Sequence, residues 1–96
     1  MNLEESLKFI RETVYKYLPK EEYEVFVYGS RADGTAQKWS DIDVGIRGKK
    51  EVPGSLVEDI SEELEESSIA YKVEVVDFAH VSDKFRRFAL KEVVRL

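Results

Sequence analysis

The run from Asp41 to Arg47, D-I-D-V-G-I-R, alternates between apolar and polar or small residues without a break. Successive side chains of a β-strand point to opposite faces, so Ile42, Val44 and Ile46 must share a dry face while Asp41, Asp43, Gly45 and Arg47 share the other. Such a strand needs a sheet covered by helices on one side. On the uncovered side the carboxylates of Asp41 and Asp43 project in the same direction, about 6.6 to 7 Å apart along the chain.

The remaining segments supply that sheet and its cover. Asn2 can cap a helix with Glu5 three residues on, and Leu3, Leu7, Ile10, Val14 and Leu18 recur at helical spacing until Pro19 ends the pattern. Tyr23 to Tyr28 is rich in aromatic and β-branched residues and runs into Gly29, as a strand entering a turn does. After a loop with Pro53 and Gly54, Ser55 opens a second amphipathic helix whose apolar stripe is Leu56, Val57, Ile60 and Leu64. Tyr71 to Phe78 reads as a third strand. Ser82 starts a last helix with Phe85, Phe88, Ala89 and Val93 directed inward, and Leu90 also assigned to the core. No repeat or linker divides the 96 residues, which form one domain, 1–96. The expected class is α/β (α+β): a small twisted mixed sheet with helices packed on one face and an open face for chemistry.

The chain has no cysteine, which excludes a disulfide scaffold, thiolate metal sites and cysteine nucleophiles. With 15 Lys+Arg against 20 Asp+Glu it carries a net charge of -5, a poor starting point for gripping nucleic acid by neutralising phosphates. No DNA or RNA template is expected. The acidic start M-N-L-E-E-S lacks the pattern of a signal peptide, and no apolar run approaches a membrane span. The expected setting is the cytoplasm, with no membrane partner.

The chemistry concentrates in Gly29 to Asp43, G-S-R-A-D-G-T-A-Q-K-W-S-D-I-D. Gly29 and Ser30 follow a strand directly, where glycine admits close approach of a ligand and the free amides of a following turn can face phosphate oxygens. A Walker loop would need Lys where Thr35 stands, and G-x-G-x-x-G is absent, so neither common phosphate loop applies. Carboxylates paired as in Asp41 and Asp43 suit Mg²⁺ or Mn²⁺, and two such ions can activate a hydroxyl and neutralise a transferring phosphoryl group. A third acid should come from the next strand. Glu74 has the parity of the open face and Asp77 does not, so Glu74 is chosen. Arg31, Lys38, Arg47, Lys49 and Lys50 could line the site as a basic rim or stand as scattered surface charges. Trp39 reads as an anchor for the loop before Asp41, and His80 as a surface histidine.

This pattern, G-S, ten residues, then D-x-D with an acid on a later strand, resembles the DNA polymerase beta-like nucleotidyltransferase superfamily. G-S-R-A-x-G followed by S-D-I-D is similar in particular to the minimal nucleotidyltransferases that partner HEPN-domain proteins in toxin-antitoxin pairs. The resemblance implies a nucleotidyltransferase fold in which Gly29 and Ser30, with Arg31 as a further phosphate contact, bind a nucleoside triphosphate. Asp41, Asp43 and Glu74 would be the catalytic, metal-binding acids for two Mg²⁺ or Mn²⁺ ions, with Glu74 also helping to deprotonate the acceptor. The implied activity is transfer of AMP from ATP to a hydroxyl, with a tyrosine of a HEPN-type partner as the acceptor. The family's third acid is usually Asp, and Glu74 is one methylene longer. Other readings are a non-catalytic antitoxin or nucleotide-binding module acting by docking, and a small-molecule transferase of the aminoglycoside kind. Homo-oligomerisation stays open.

Overall fold

The computed structural model describes residues 1–96. α1 (Leu3–Tyr17) begins with the expected reciprocal cap: the Asn2 side chain accepts from the Glu5 amide at 2.8 Å, and the Glu5 carboxylate accepts from the Asn2 amide at 3.0 Å. β1 (Tyr23–Tyr28), the single-turn α2 (Ser30–Asp33), β2 (Ile42–Gly48), α3 (Leu56–Glu65) and β3 (Val73–Asp77) follow. A turn of 3-10 helix, Phe78–His80, leads to α4 (Asp83–Ala89) and β4 (Val94–Arg95). β4 lies outside the sequence-based expectation, because two residues are too short to show a period. Ser55 stands at the start of α3 without a side-chain cap bond, whereas Ser82 accepts from the Phe85 amide at 3.1 Å.

The sheet order is β3-β2-β1-β4. β1 pairs antiparallel with both β2 and β4, while β2 and β3 run parallel and are joined through α3. Val25, Val27, Ile42, Val44 and Ile46 on one face pack with Ile10, Val14, Ile60 and Leu64 of α1 and α3 in a twelve-residue core. This is the dry face expected from the alternation.

The other face is not open throughout. Phe26 and Tyr28 of β1 stand one residue out of phase with the main core and join Phe78 and Ala89 in a second, smaller cluster. Phe26 and Phe78 meet edge to face at 4.9 Å, and Tyr28 and Phe78 at 5.2 Å. Gly45 lies beneath: a Cβ there would come within 2.4 Å of Phe26 and 2.7 Å of Phe78. Glycine therefore admits two rings where the alternation alone suggested bare surface. The last helix is correspondingly less buried than expected. Only Ala89 is inside, Leu90 is half-buried, Phe85 and Val93 are partly exposed, and Phe88 is 72% exposed. No helix is long and apolar enough to cross a membrane.

Candidate active site

Asp43 is the centre of the face that carries the acids. Its backbone partners are Tyr28 on the β1 side and Glu74 on the β3 side, so three side chains of one parity stand in a row across the sheet. Gly29, at φ +73°, turns the chain out of β1 directly against this row, and a Cβ on it would lie 2.6 Å from Asp43 Oδ2. The positive φ calls for glycine here, and a larger residue would also have to displace the Asp43 carboxylate. The loop then closes through α2, whose leading amides have no intrahelical partner.

Burial, followed by the negative charges of Glu74 and Asp41, holds the Asp43 carboxyl above the usual aspartate range. The same causes act on Tyr28, where burial and then Asp43 and Glu74 push the phenol up to about 12. Asp41 lies just before β2 and is exposed, as is Glu74. The parity argument thus places Glu74 beside Asp43 and Asp77 on the far face. Asp77 accepts from the Val52 amide at 2.8 Å and the Ala79 amide at 3.0 Å, tying the loop before α3 to the 3-10 turn.

No three acidic or histidine side chains converge closely enough to grip one cation by themselves. The expected set of Asp41, Asp43 and Glu74 is therefore not a closed cage. Its chemistry still fits Mg²⁺, a hard cation commonly held by one or two carboxylates together with substrate phosphates. A cation would also relieve the mutual repulsion that raises Asp43.

Arg31, expected at the phosphate, is engaged elsewhere. Its guanidinium donates to the carbonyls of Ser40 at 2.8 and 3.2 Å, Lys38 at 3.2 Å and Gln37 at 3.4 Å, and lies 4.7 Å over the Tyr71 ring. It is a clasp on the loop that delivers Asp41. Trp39 packs on the same Tyr71 at 5.8 Å and remains 65% exposed, so it anchors the loop weakly. The basic rim does not assemble. Arg47 donates to Glu24 at 2.6 Å and sits over Phe26, while Lys49 and Lys50 lie past the far end of β2 beside Glu21 and Glu22. His80 is a surface residue, paired with Glu51 at 2.9 Å.

A cleft of about 350 Å³ opens beside Asp43, with Gly29, Tyr28 and Asp33 on one side and Phe85, Phe88 and Lys91 on the other. Hydrogen bonds from the Thr35 hydroxyl and amide hold the Asp33 carboxyl below its usual range and fix the turn after α2. Sequence reasoning missed Tyr28 and the α4 wall. Tyr28 was within reach, because it has the parity of Glu24 and Phe26 and directly precedes Gly29. For Phe88 no sequence signal existed, since helical spacing made it a core residue.

Known proteins share this architecture. In the solved structure of a toxin-antitoxin with AMP-PNP, a chain 20% identical superimposes with a TM-score of 0.72, the match covering 94% of this chain and 70% of that one. A chain from the complex of the tri-AMPylated HEPN toxin of Shewanella oneidensis with its MNT antitoxin gives 0.69 at 18% identity, covering 99% and 71%. At these identities the likeness concerns the fold. In sequence, the probable protein adenylyltransferase MntA of Haemophilus influenzae is 29% identical over 90 residues, 94% of this chain and 77% of the relative. The family pattern described as "Polymerase beta, Nucleotidyltransferase" matches residues 10–96, a span that holds Gly29, Ser30, Asp41, Asp43 and Glu74, and with it the chain belongs to the polymerase beta nucleotidyltransferase family.

Proposed function

We propose that this domain is a metal-dependent nucleotidyltransferase that moves AMP from ATP to a tyrosine hydroxyl of a HEPN-type partner, silencing that partner as its antitoxin. Support comes first from the row Tyr28, Asp43, Glu74 with Gly29 folded against Asp43 Oδ2. The cleft beside it is lined by Asp33, Asp43 and Glu92 against a single cation, Lys91, a sum of -2 before any triphosphate enters. An anionic substrate in such a cleft calls for a counter-cation. A protein acceptor and a HEPN partner are supported by the relatives, one a probable protein adenylyltransferase and another from a complex with an AMPylated HEPN toxin, while tyrosine as the accepting residue is what the family resemblance implies.

In this reading Gly29 and Ser30 receive the triphosphate against backbone amides, and the Arg31 clasp fixes the loop that presents Asp41. Asp41, Asp43 and Glu74 would hold Mg²⁺ or Mn²⁺, two ions in the full site, sharing them with phosphate oxygens. The bound metal supplies charge neutralisation at the transferring phosphoryl group. The acceptor oxygen bonds to the α-phosphorus as the bond to the β-phosphate oxygen breaks, pyrophosphate leaves with that electron pair, and the hydroxyl proton passes to the exposed Glu74 carboxylate. Positioning and electrostatics provide most of the acceleration, as is general for phosphoryl transfer. The test is to incubate the copurified pair with ATP and Mg²⁺ and to follow the partner's mass. An AMP-sized gain with wild type, absent with Asp43→Asn and with EDTA, is expected. A tight, inhibited partner that is never modified would establish docking instead.

A further inference from the structure

Asp43 has two unlike flanks. Towards β3 lie Lys72 and Glu74, polar and exposed. Towards β1 and α4 the cleft is aromatic, with Tyr28, Phe85 and Phe88. Phe88 has no visible structural task. α4 is held down by buried Ala89, by Phe85 against Tyr28 at 5.8 Å, and by Arg86, which donates to the Phe78 carbonyl at 2.8 Å. The Phe88 ring remains 72% exposed, with the Lys91 ammonium 5.9 Å from its centroid. Trp39 is comparably exposed but leans on Tyr71 and does not line the cleft.

We infer that Phe88, flanked by Lys91, is the nucleobase platform of the site, on which the base of a bound nucleoside triphosphate stacks. This rests on the nucleotidyltransferase reading, which puts the reacting phosphate at Asp43. In an in-line transfer the incoming hydroxyl approaches the α-phosphorus opposite the leaving pyrophosphate while the nucleoside branches sideways from that line, so the nucleoside needs a flank of its own. A hydroxyl acceptor needs the Glu74 side, where a base is available. A planar base needs an aromatic face, and only the α4 side offers one in the cleft. The cleft volume falls within the range of ligand sites, about 300 to 1,000 Å³. Lys91 also places its charge where base and phosphates meet.

Two probes separate the platform from the phosphate cradle: ATP with Mg²⁺, and inorganic tripolyphosphate with Mg²⁺, each titrated calorimetrically into the full chain. Wild type should bind ATP more tightly than tripolyphosphate. Phe88→Ala should weaken ATP about tenfold or more and leave tripolyphosphate within about twofold, as expected for losing one stacked base. Phe88→Trp should restore ATP affinity, with indole emission changing on binding beyond that of Trp39. Because the ring is exposed, both variants should melt with wild type. Equal weakening of both probes, or unchanged ATP affinity in Phe88→Ala, would overturn the platform. Wild type binding tripolyphosphate as tightly as ATP would overturn it and leave the nucleotidyltransferase reading intact. Wild type binding neither would overturn both.

Discussion

The two faces of the sheet use the same strands one residue out of phase, yet they are filled by different rules. Beneath α1 and α3, Val25, Val27, Ile42, Val44 and Ile46 interlock with helix residues in one continuous apolar core. On the other face a short aromatic cluster, Phe26, Tyr28, Phe78 and Ala89, stops at Asp43, and the surface beyond is charged. The first face is tuned for packing. On the second, apolar cover is carried up to the edge of an acid and no further, so that Asp43 is half-buried, raised in pKa, and still reachable. Tyr28 of that cluster and Phe85, which packs on it, line the cleft next to Asp43, so the aromatic packing anchors α4 beside the acid.

That contrast can be broken most severely on the dry face. Ile46→Ala should cost about 2 to 5 kcal/mol of stability, since it empties a fully buried site, and should leave the activity of the folded fraction near wild type. Chemical denaturation paired with an activity assay below the transition checks this. Asp43→Asn should do the reverse. Transfer should fall about 100- to 1,000-fold, the scale of losing one electrostatic stabiliser, because the cation that the carboxylate would hold is held less well, while the melting temperature holds or rises.

The pH dependence sharpens the same point. A carboxyl raised in the folded state favours folding when protonated, and that contribution is lost as pH climbs from the ordinary aspartate range through the raised folded value. Wild type should therefore lose ground to Asp43→Asn across that interval and run parallel to it above. Melting curves collected in steps of pH would show the opposite trend, wild type gaining on Asp43→Asn as pH rises, if the Asp43 carboxylate were instead held by a stabilising network.

Gly45→Ala tests the aromatic cluster from below. The added methyl meets Phe26 and Phe78, so a loss of about 1 to 3 kcal/mol is expected, with activity falling too as α4 is displaced from the cleft. Full activity in a destabilised Gly45→Ala would show that the cluster belongs to the fold alone. The smallest effect should come from Arg31→Lys. Lysine keeps the charge but cannot span the carbonyls of Gln37, Lys38 and Ser40 or stack flat on Tyr71, so the requirement for Mg²⁺ should rise a few-fold with stability almost unchanged. A metal titration of activity reads this directly.

Much of the molecule was legible because local rules and the global fold agree. The alternation of Asp41 to Arg47, the Asn2 and Glu5 cap, the stripe of Ile10 and Val14 and the turn at Gly29 each specify an element from a few neighbouring residues. The parity of Glu74 and Asp77 along β3 sorted the two acids before any strand was paired. What the sequence could not determine depends on contacts between residues distant in the chain. Arg31 looked like a phosphate ligand, and only the path of the loop at Gln37 to Ser40 turned its guanidinium to those carbonyls. Phe88 had the spacing of a core residue, but α4 is too short to bury every aromatic it carries once Phe78 and Phe85 have taken the space above Gly45 and Tyr28. Periodicity states which way a side chain points along its own element; whether anything stands there to meet it was decided when β1, β2 and α4 packed together.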